Sequence, residues 1–285
     1  MSSGRGLGEW VTELVEGFVA SPNNSMNDKG EPAWDKPIVG FSNGADPIYD
    51  FYKKDIGSFF LIPIEFFRGT YPSVDARSEE LTVISWVLPQ TEATKVDHRK
   101  ESQMPSERWA RSRIFGEQVN VKLRRYVVEE LEKAGYPAVA PMISPLWHEA
   151  MSEKYLFASA WSERHAAYAA GLGTFGLSDG LITSKGKAHR VGSVIAKIDI
   201  QATPRPYTDH YAYCLYYAKG TCGVCIKKCP AGAISIKGHE KHKCSDYVDT
   251  TRAFVEEHYH FKGYGCGFCQ VGVPCESRIP EGIDL

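Results

Sequence analysis

The eight cysteines all lie between Cys214 and Cys275, and none precedes Cys214. Their spacing is Cys214-x7-Cys222-x2-Cys225-x3-Cys229-Pro230, then Cys244, then Cys266-x2-Cys269-x5-Cys275. A thiolate is a soft anionic ligand. Four of them suit one [4Fe-4S] cubane, so eight suffice for two. The C-x2-C-x3-C-P portion is the bacterial ferredoxin run with its first cysteine moved outward by a longer loop. In that run the cysteine before proline ligates the other cluster. The pattern therefore assigns Cys214, Cys222, Cys225 and Cys275 to one cluster, and Cys229, Cys244, Cys266 and Cys269 to the second. Gly223, Gly232, Gly265, Gly267 and Gly272 let backbone amides approach the inorganic sulfides. Structural disulfides would need an oxidising compartment, and the N-terminus (MSSGRGLGEW) has neither a twin arginine nor an apolar signal core. The expected location is therefore cytoplasmic. Four-cysteine zinc sites fit the C-x2-C pieces but not the Cys-Pro continuation into Ala-Gly-Ala-Ile.

A second motif is Gly171-Leu172-Gly173-Thr174-Phe175-Gly176, which matches G-x-G-x-x-G. A dinucleotide site needs a strand before the glycines, a helix after them and an acid about twenty residues on. The order is reversed: an alanine-rich helix over 162–170 precedes, capped by Gly171, and the short apolar run Leu181-Ile182-Thr183 follows. Asp179 comes too early and Asp199 lies in a predicted strand, so the pattern argues against a dinucleotide site.

The stretch Glu163-Arg164-His165-Ala-Ala-Tyr-Ala-Ala-Gly171-Leu-Gly173-Thr-Phe-Gly176, followed by Gly180-Leu-Ile-Thr183, resembles the corrinoid loop of epoxyqueuosine reductases and reductive dehalogenases. In those families it likewise lies just before a two-cluster ferredoxin segment. The resemblance covers roughly residues 160–275. It implies an α/β (α+β) fold, with a nitroreductase-like corrinoid-binding domain over 1–200 and a ferredoxin-like module with two [4Fe-4S] clusters over 201–285. It further implies base-off cobalamin held by Arg164, His165, Gly171, Leu172, Gly173, Gly176, Leu181, Ile182 and Thr183, with ferredoxin or flavodoxin as electron donor. No D-x-H-x-x-G segment supplies a histidine for cobalt, so cavity shape and backbone contacts must hold the ring, and glycines at 171, 173 and 176 permit that approach.

The sequence also departs from these families. Epoxyqueuosine reductases carry a proton-donating aspartate a few residues before the Arg, whereas Phe157-Ala158-Ser159-Ala160-Trp161 contains no acid. Tyr155, Ser159 and Glu163 are the candidate catalytic proton donors, by position alone. The chain ends at Leu285 without a helical-repeat domain for tRNA, and it lacks the export signal of respiratory dehalogenases.

The remaining composition fits such a protein. The 285 residues are enough for one large domain or two ordinary ones. Apolar residues make up 43% and charged residues 24%, sufficient for a substantial core. A net charge of −2 argues against broad nucleic-acid binding, and the longest apolar runs are too short to cross a membrane. Leu81-Thr-Val-Ile-Ser-Trp-Val-Leu88 reads as a buried strand ended by Pro89. Phe115, Val119, Leu123, Val127 and Leu131 recur every four residues, predicting a helix that opens at Pro105-Ser106-Glu107 and stops at Gly135-Tyr136-Pro137. Residues 191–200 read as a strand, 201–213 as a connection between domains and 21–46 as an irregular loop. His98-Arg99-Lys100 and Lys122 to Arg125 read as surface charge, and His239 and His242 as part of a solvated basic loop. His148 reads as a surface histidine.

Three functions follow from these readings. The first is an iron–sulfur, cobalamin-dependent reductase of a small electrophilic substrate. The second is an electron-transfer protein with clusters and no catalytic cofactor. The third is a short epoxyqueuosine reductase acting on tRNA, which the charge argues against.

Overall fold

The computed structural model describes residues 6–26 and 30–283. Its centre is a four-stranded sheet in the order β1 (Ile38–Asn43), β2 (Leu81–Pro89), β8 (His189–Lys197), β3 (Ala138–Val139), with every pairing antiparallel. All nine residues of β2 are buried, because helices cover both faces of the sheet. Ile84, Trp86 and Leu88 face α1 (Leu7–Ala20) and α6 (Glu117–Lys133). The alternate residues Leu81, Val83 and Val87 face the aromatic side chains of α2 (Pro47–Ile56) and α3 (Pro63–Thr70) and the alanines of α7 (Glu163–Ala169). Each fully buried large apolar side chain contributes roughly 1.5–3 kcal/mol.

The predicted helix is continuous in path but composite. α5 (Glu107–Arg111) runs through a π-turn at 112–116 into α6, and Gly116 at the junction carries the Trp34 indole, whose Nε1 donates to the Gly116 carbonyl at 3.0 Å. Strand β8 ends at Lys197, three residues short of the expected end. Between residues 21 and 46 the expected loop contains strand β1, while residues 27–29 of that stretch lie outside the described ones. Gly40 disguises this strand in the sequence. A Cβ there would sit 2.5 Å from the Ala170 carbonyl oxygen, so glycine is what lets the end of α7 close on the sheet.

Two expected surface-charge clusters are partly interior. His98, at the end of α4 (Glu92–Arg99), is fully buried between the rings of Trp109 and Phe268, with centroids at 4.3 and 4.5 Å. Its neighbour Arg99 pairs with Glu276. Arg124 is 1% exposed and pairs with Glu117 and Glu163 at 2.9 and 3.0 Å. Counting charges along the chain could not reveal that Glu163, from another helix, pairs with Arg124 in the interior.

The cysteine-rich part is built from short pieces: α8 (Leu215–Lys219), α9 (Val224–Lys228), the hairpin β9 (Ile234–Ser235) and β10 (Gly238–His239), the long α10 (Lys241–Tyr259) and an irregular tail. The expected basic loop around His242 is instead the first turn of α10. Tyr207, Tyr213, Cys214, Cys225, Ile234 and Val273 share one apolar cluster with β2, α3 and α7, so a single core crosses residue 201. Among the described residues no helix is long and apolar enough to cross a membrane.

Candidate functional site

Cys214 caps the N-terminus of α8, Cys225 lies in α9, and Cys229 follows as its C-cap. Cys244 stands in the first turn of α10, while Cys266, Cys269 and Cys275 hang on the irregular tail. All eight are free thiols. Cys214, Cys222, Cys225 and Cys275 line one small cavity, together with Leu177, Ile182 and Lys187. Of the remaining four, Cys266 senses Cys269 and Cys244, and Cys269 senses Cys244 and Cys229, while Cys225 of the first group also senses Cys269.

Burial pushes the Cys225 thiol up to about 11 and Cys266 up to about 12, and it raises Cys269 and Cys275 as well. A buried thiol gives up its proton only to a strong counter-charge, which a metal cluster provides. The Ala233 amide already donates to Cys229 Sγ at 3.3 Å, the kind of bond that tunes a ligating sulfur. Among the described residues, no three or more Cys, His, Asp or Glu side chains converge closely enough for a single ion. The first group instead lines the wall of a cavity.

The glycine motif behaves differently. It forms a hairpin of β6 (Gly173–Phe175) and β7 (Leu181–Thr183). Gly171 has φ +75°, and a Cβ there would meet the Pro204 carbonyl oxygen at 2.5 Å. A Cβ on Gly173 would lie 2.2 Å from the Ile182 carbonyl oxygen, and one on Gly176 would lie 3.1 Å from Ile182 Cδ1. On their Cβ sides these glycines thus make room for the chain's own atoms. Tyr207 ties the hairpin to α7: its hydroxyl accepts from the Gly173 amide at 3.2 Å and donates to the Tyr168 carbonyl at 2.8 Å.

The other residues of the motif are also committed. Leu172, Leu181, Ile182 and Thr183 are buried, and Ile182 lines the cysteine cavity. Arg164 Nη1 donates to the Asp179 carbonyl at 2.5 Å. His165 bonds Ser162 Oγ at 2.7 Å through Nδ1 and meets the rings of Tyr52 and Phe175 at 4.7 and 4.9 Å. Burial pulls its pKa down to about 3, so it is neutral.

The three candidate proton donors have separate partners. Glu163 is buried against Arg124 and accepts from Ser193 Oγ; burial raises its pKa against the pull of Arg124. Ser159 Oγ donates to the Trp161 carbonyl at 2.7 Å. Tyr155 sits between β4 (Glu149–Ser152) and β5 (Leu156–Ser159), 36% exposed, and its hydroxyl donates to Asp55 Oδ2 at 2.5 Å. Lys154 binds the other oxygen of Asp55, also at 2.5 Å. His148 is exposed, as expected.

Three contacts near these residues escape sequence reasoning. Asp55 meets Tyr155 from a hundred residues away. His239 is half-buried rather than solvated, bonds Asp179 at 3.0 Å and lies against Cys244; those two partners push its pKa up to about 9. Lys187 is 3% exposed beside the cysteines. Neither motif spacing nor composition marks any of them.

No family model and no curated protein matches this sequence. Solved structures it resembles include reductive dehalogenases and epoxyqueuosine reductases. A catabolic reductive dehalogenase aligns over 95% of this chain and 37% of its own, with 14% identity and a TM-score of 0.53. A reductive dehalogenase described with a mechanism for B12-dependent dehalogenation aligns over 86% of this chain and 30% of its own, with 14% identity and a TM-score of 0.52. Epoxyqueuosine reductase from Bacillus subtilis aligns over 88% and 63%, with 18% identity and a TM-score of 0.45. The chain thus spans about a third of the dehalogenase chains. At these identities the dehalogenase likeness establishes the fold.

Proposed function

We propose that the chain is a low-potential iron–sulfur reductase. Cys214, Cys222, Cys225 and Cys275 hold one [4Fe-4S] cluster, and Cys229, Cys244, Cys266 and Cys269 hold the other. The observation that carries this reading is the cavity lined by the first four thiols, three of them close in sequence and the fourth from the tail. Electrons enter from a ferredoxin or flavodoxin and pass toward the hairpin of β6 and β7, whose Leu177 and Ile182 form part of that cavity wall. The substrate is a small electrophile. Its proton comes from Tyr155, the candidate whose hydroxyl stands at the surface and whose orientation Asp55 fixes. With Arg124 withdrawn into the core, the basic run from Lys122 to Arg125 is thinner still as a phosphate-binding patch, which disfavours tRNA as substrate.

The likeness of fold and motif extends the reading to base-off cobalamin, which when bound supplies a strongly reducing metal centre. On their Cβ sides Gly171 and Gly173 meet the chain's own carbonyls. These close contacts favour a second reading, an electron-transfer protein whose substrate is another protein's oxidised centre. Anaerobic purification with iron, zinc and cobalt analysis tests both. Under either reading, about eight irons per chain are expected, whereas stoichiometric zinc without labile sulfide would refute the clusters. Cobalamin that co-elutes after incubation selects the reductase, and its absence selects the electron carrier.

A further inference from the structure

Lys187 lies in the turn between β7 and β8 and is 3% exposed. Its backbone amide donates to the carbonyls of Cys275 and Glu276 at 2.8 and 3.0 Å, which fixes the residue against the cysteine tail. Its side chain lines the cavity of Cys214, Cys222, Cys225 and Cys275. Its Nζ donates to Ser178 Oγ at 3.0 Å, and Ser178 also reaches the thiol of Cys269, a member of the other group. Gly180 makes room for the lysine stem, since a Cβ there would meet Lys187 Cδ at 2.7 Å. Among the described residues no carboxylate pairs with this ammonium. A buried ammonium with only a hydroxyl partner is strongly disfavoured unless another negative charge faces it, and what faces it is cysteine.

We infer that Lys187 is a redox-positioning residue, a fixed positive charge between the two cysteine groups that stabilises the added electron and sets the reduction potential of the cluster in the Cys214 group. This inference rests on the cluster reading above. The step is a one-electron reduction from [4Fe-4S]2+ to [4Fe-4S]+, in which no bond breaks and the donor, dithionite in the assay, is oxidised. A nearby cation favours the more negative product, so its removal makes reduction harder.

The test is an EPR-monitored redox titration of the reconstituted full chain, with iron counted first. Lys187→Met is expected to keep its iron and to lower the reduction equilibrium of one cluster by tenfold or more, about 59 mV for a one-electron couple. Lys187→Arg should titrate close to the parent protein. If Lys187→Met fails to load, Gly180→Ala displaces the ammonium without removing its charge and should move the same midpoint in the same direction by less. Full iron with unmoved midpoints in the variant that loads overturns the proposal alone. A parent protein that takes up no iron overturns the cluster reading, and this inference with it.

Discussion

The glycine hairpin of residues 171–183 and the cysteine segment of residues 214–275 both announce themselves in the sequence as places of chemistry, yet they fold to opposite ends. The cysteines leave a cavity with thiols on its wall. The glycines are closed on their Cβ sides by Pro204 and Ile182. A cysteine's side chain is itself the ligand, so its spacing carries information about what it binds. A glycine specifies only that something comes near, and the nearest thing is usually more of the same chain.

The largest expected effect comes from removing one thiol. Cys225→Ala should reduce bound iron from about eight to about four per chain, and Cys229→Ala should cause the same loss from the other group. Iron-to-protein ratio with EPR of each variant checks this; loss of the same cluster in both variants would merge the two groups and erase the distinction between them.

Breaking the ion pair beneath the hairpin's helix comes next. Arg124→Met leaves Glu163 buried without its cation and should cost about 3–5 kcal/mol of stability by urea denaturation of the iron-free protein. Gly173→Val sharpens the contrast directly. It drives a side chain into the Ile182 carbonyl and should destabilise the iron-free protein by about 1–3 kcal/mol. An unchanged melting temperature would show that the space above Gly173 is open after all.

The hairpin side should also be acid-sensitive. Burial lowers the pKa of His165 to about 3 and of His189 to about 4. Both are depressed from the unfolded value of about 6.5, so their contribution is complete above that pH and is lost as the pH falls toward 4. Each should remove about 1.4 kcal/mol per pH unit in that window. Urea midpoints at pH 7.5 and 5.5 measure it, and equal midpoints would contradict neutral burial. The smallest stability effect belongs to Tyr155→Phe, which loses one half-exposed hydrogen bond to Asp55 and about 0.5–1.5 kcal/mol at most. Any larger loss should appear in turnover rather than in stability.

What could be read in advance follows the same division. Strand β2 and the helix through Leu123, Val127 and Leu131 were legible because burial is periodic in the chain itself. Strand β1 was not, since Gly40 answers to Ala170, a partner from another element. His98 and Arg124 looked solvated because their aromatic and acidic partners come from α5, α7 and the tail. Around the site, spacing marked the thiols but gave no hint of the contacts of Lys187, Asp55 or His239, which depend on which residues fold against them.

The core that crosses residue 201 has a practical consequence for anyone dividing the molecule. Tyr207, Tyr213, Ile234 and Val273 pack in the same cluster as the helices flanking the sheet, so the cysteine segment is no interchangeable cartridge. A graft into another scaffold must bring matching apolar surface with it, and a cut at the junction would expose wet, sticky faces on both fragments.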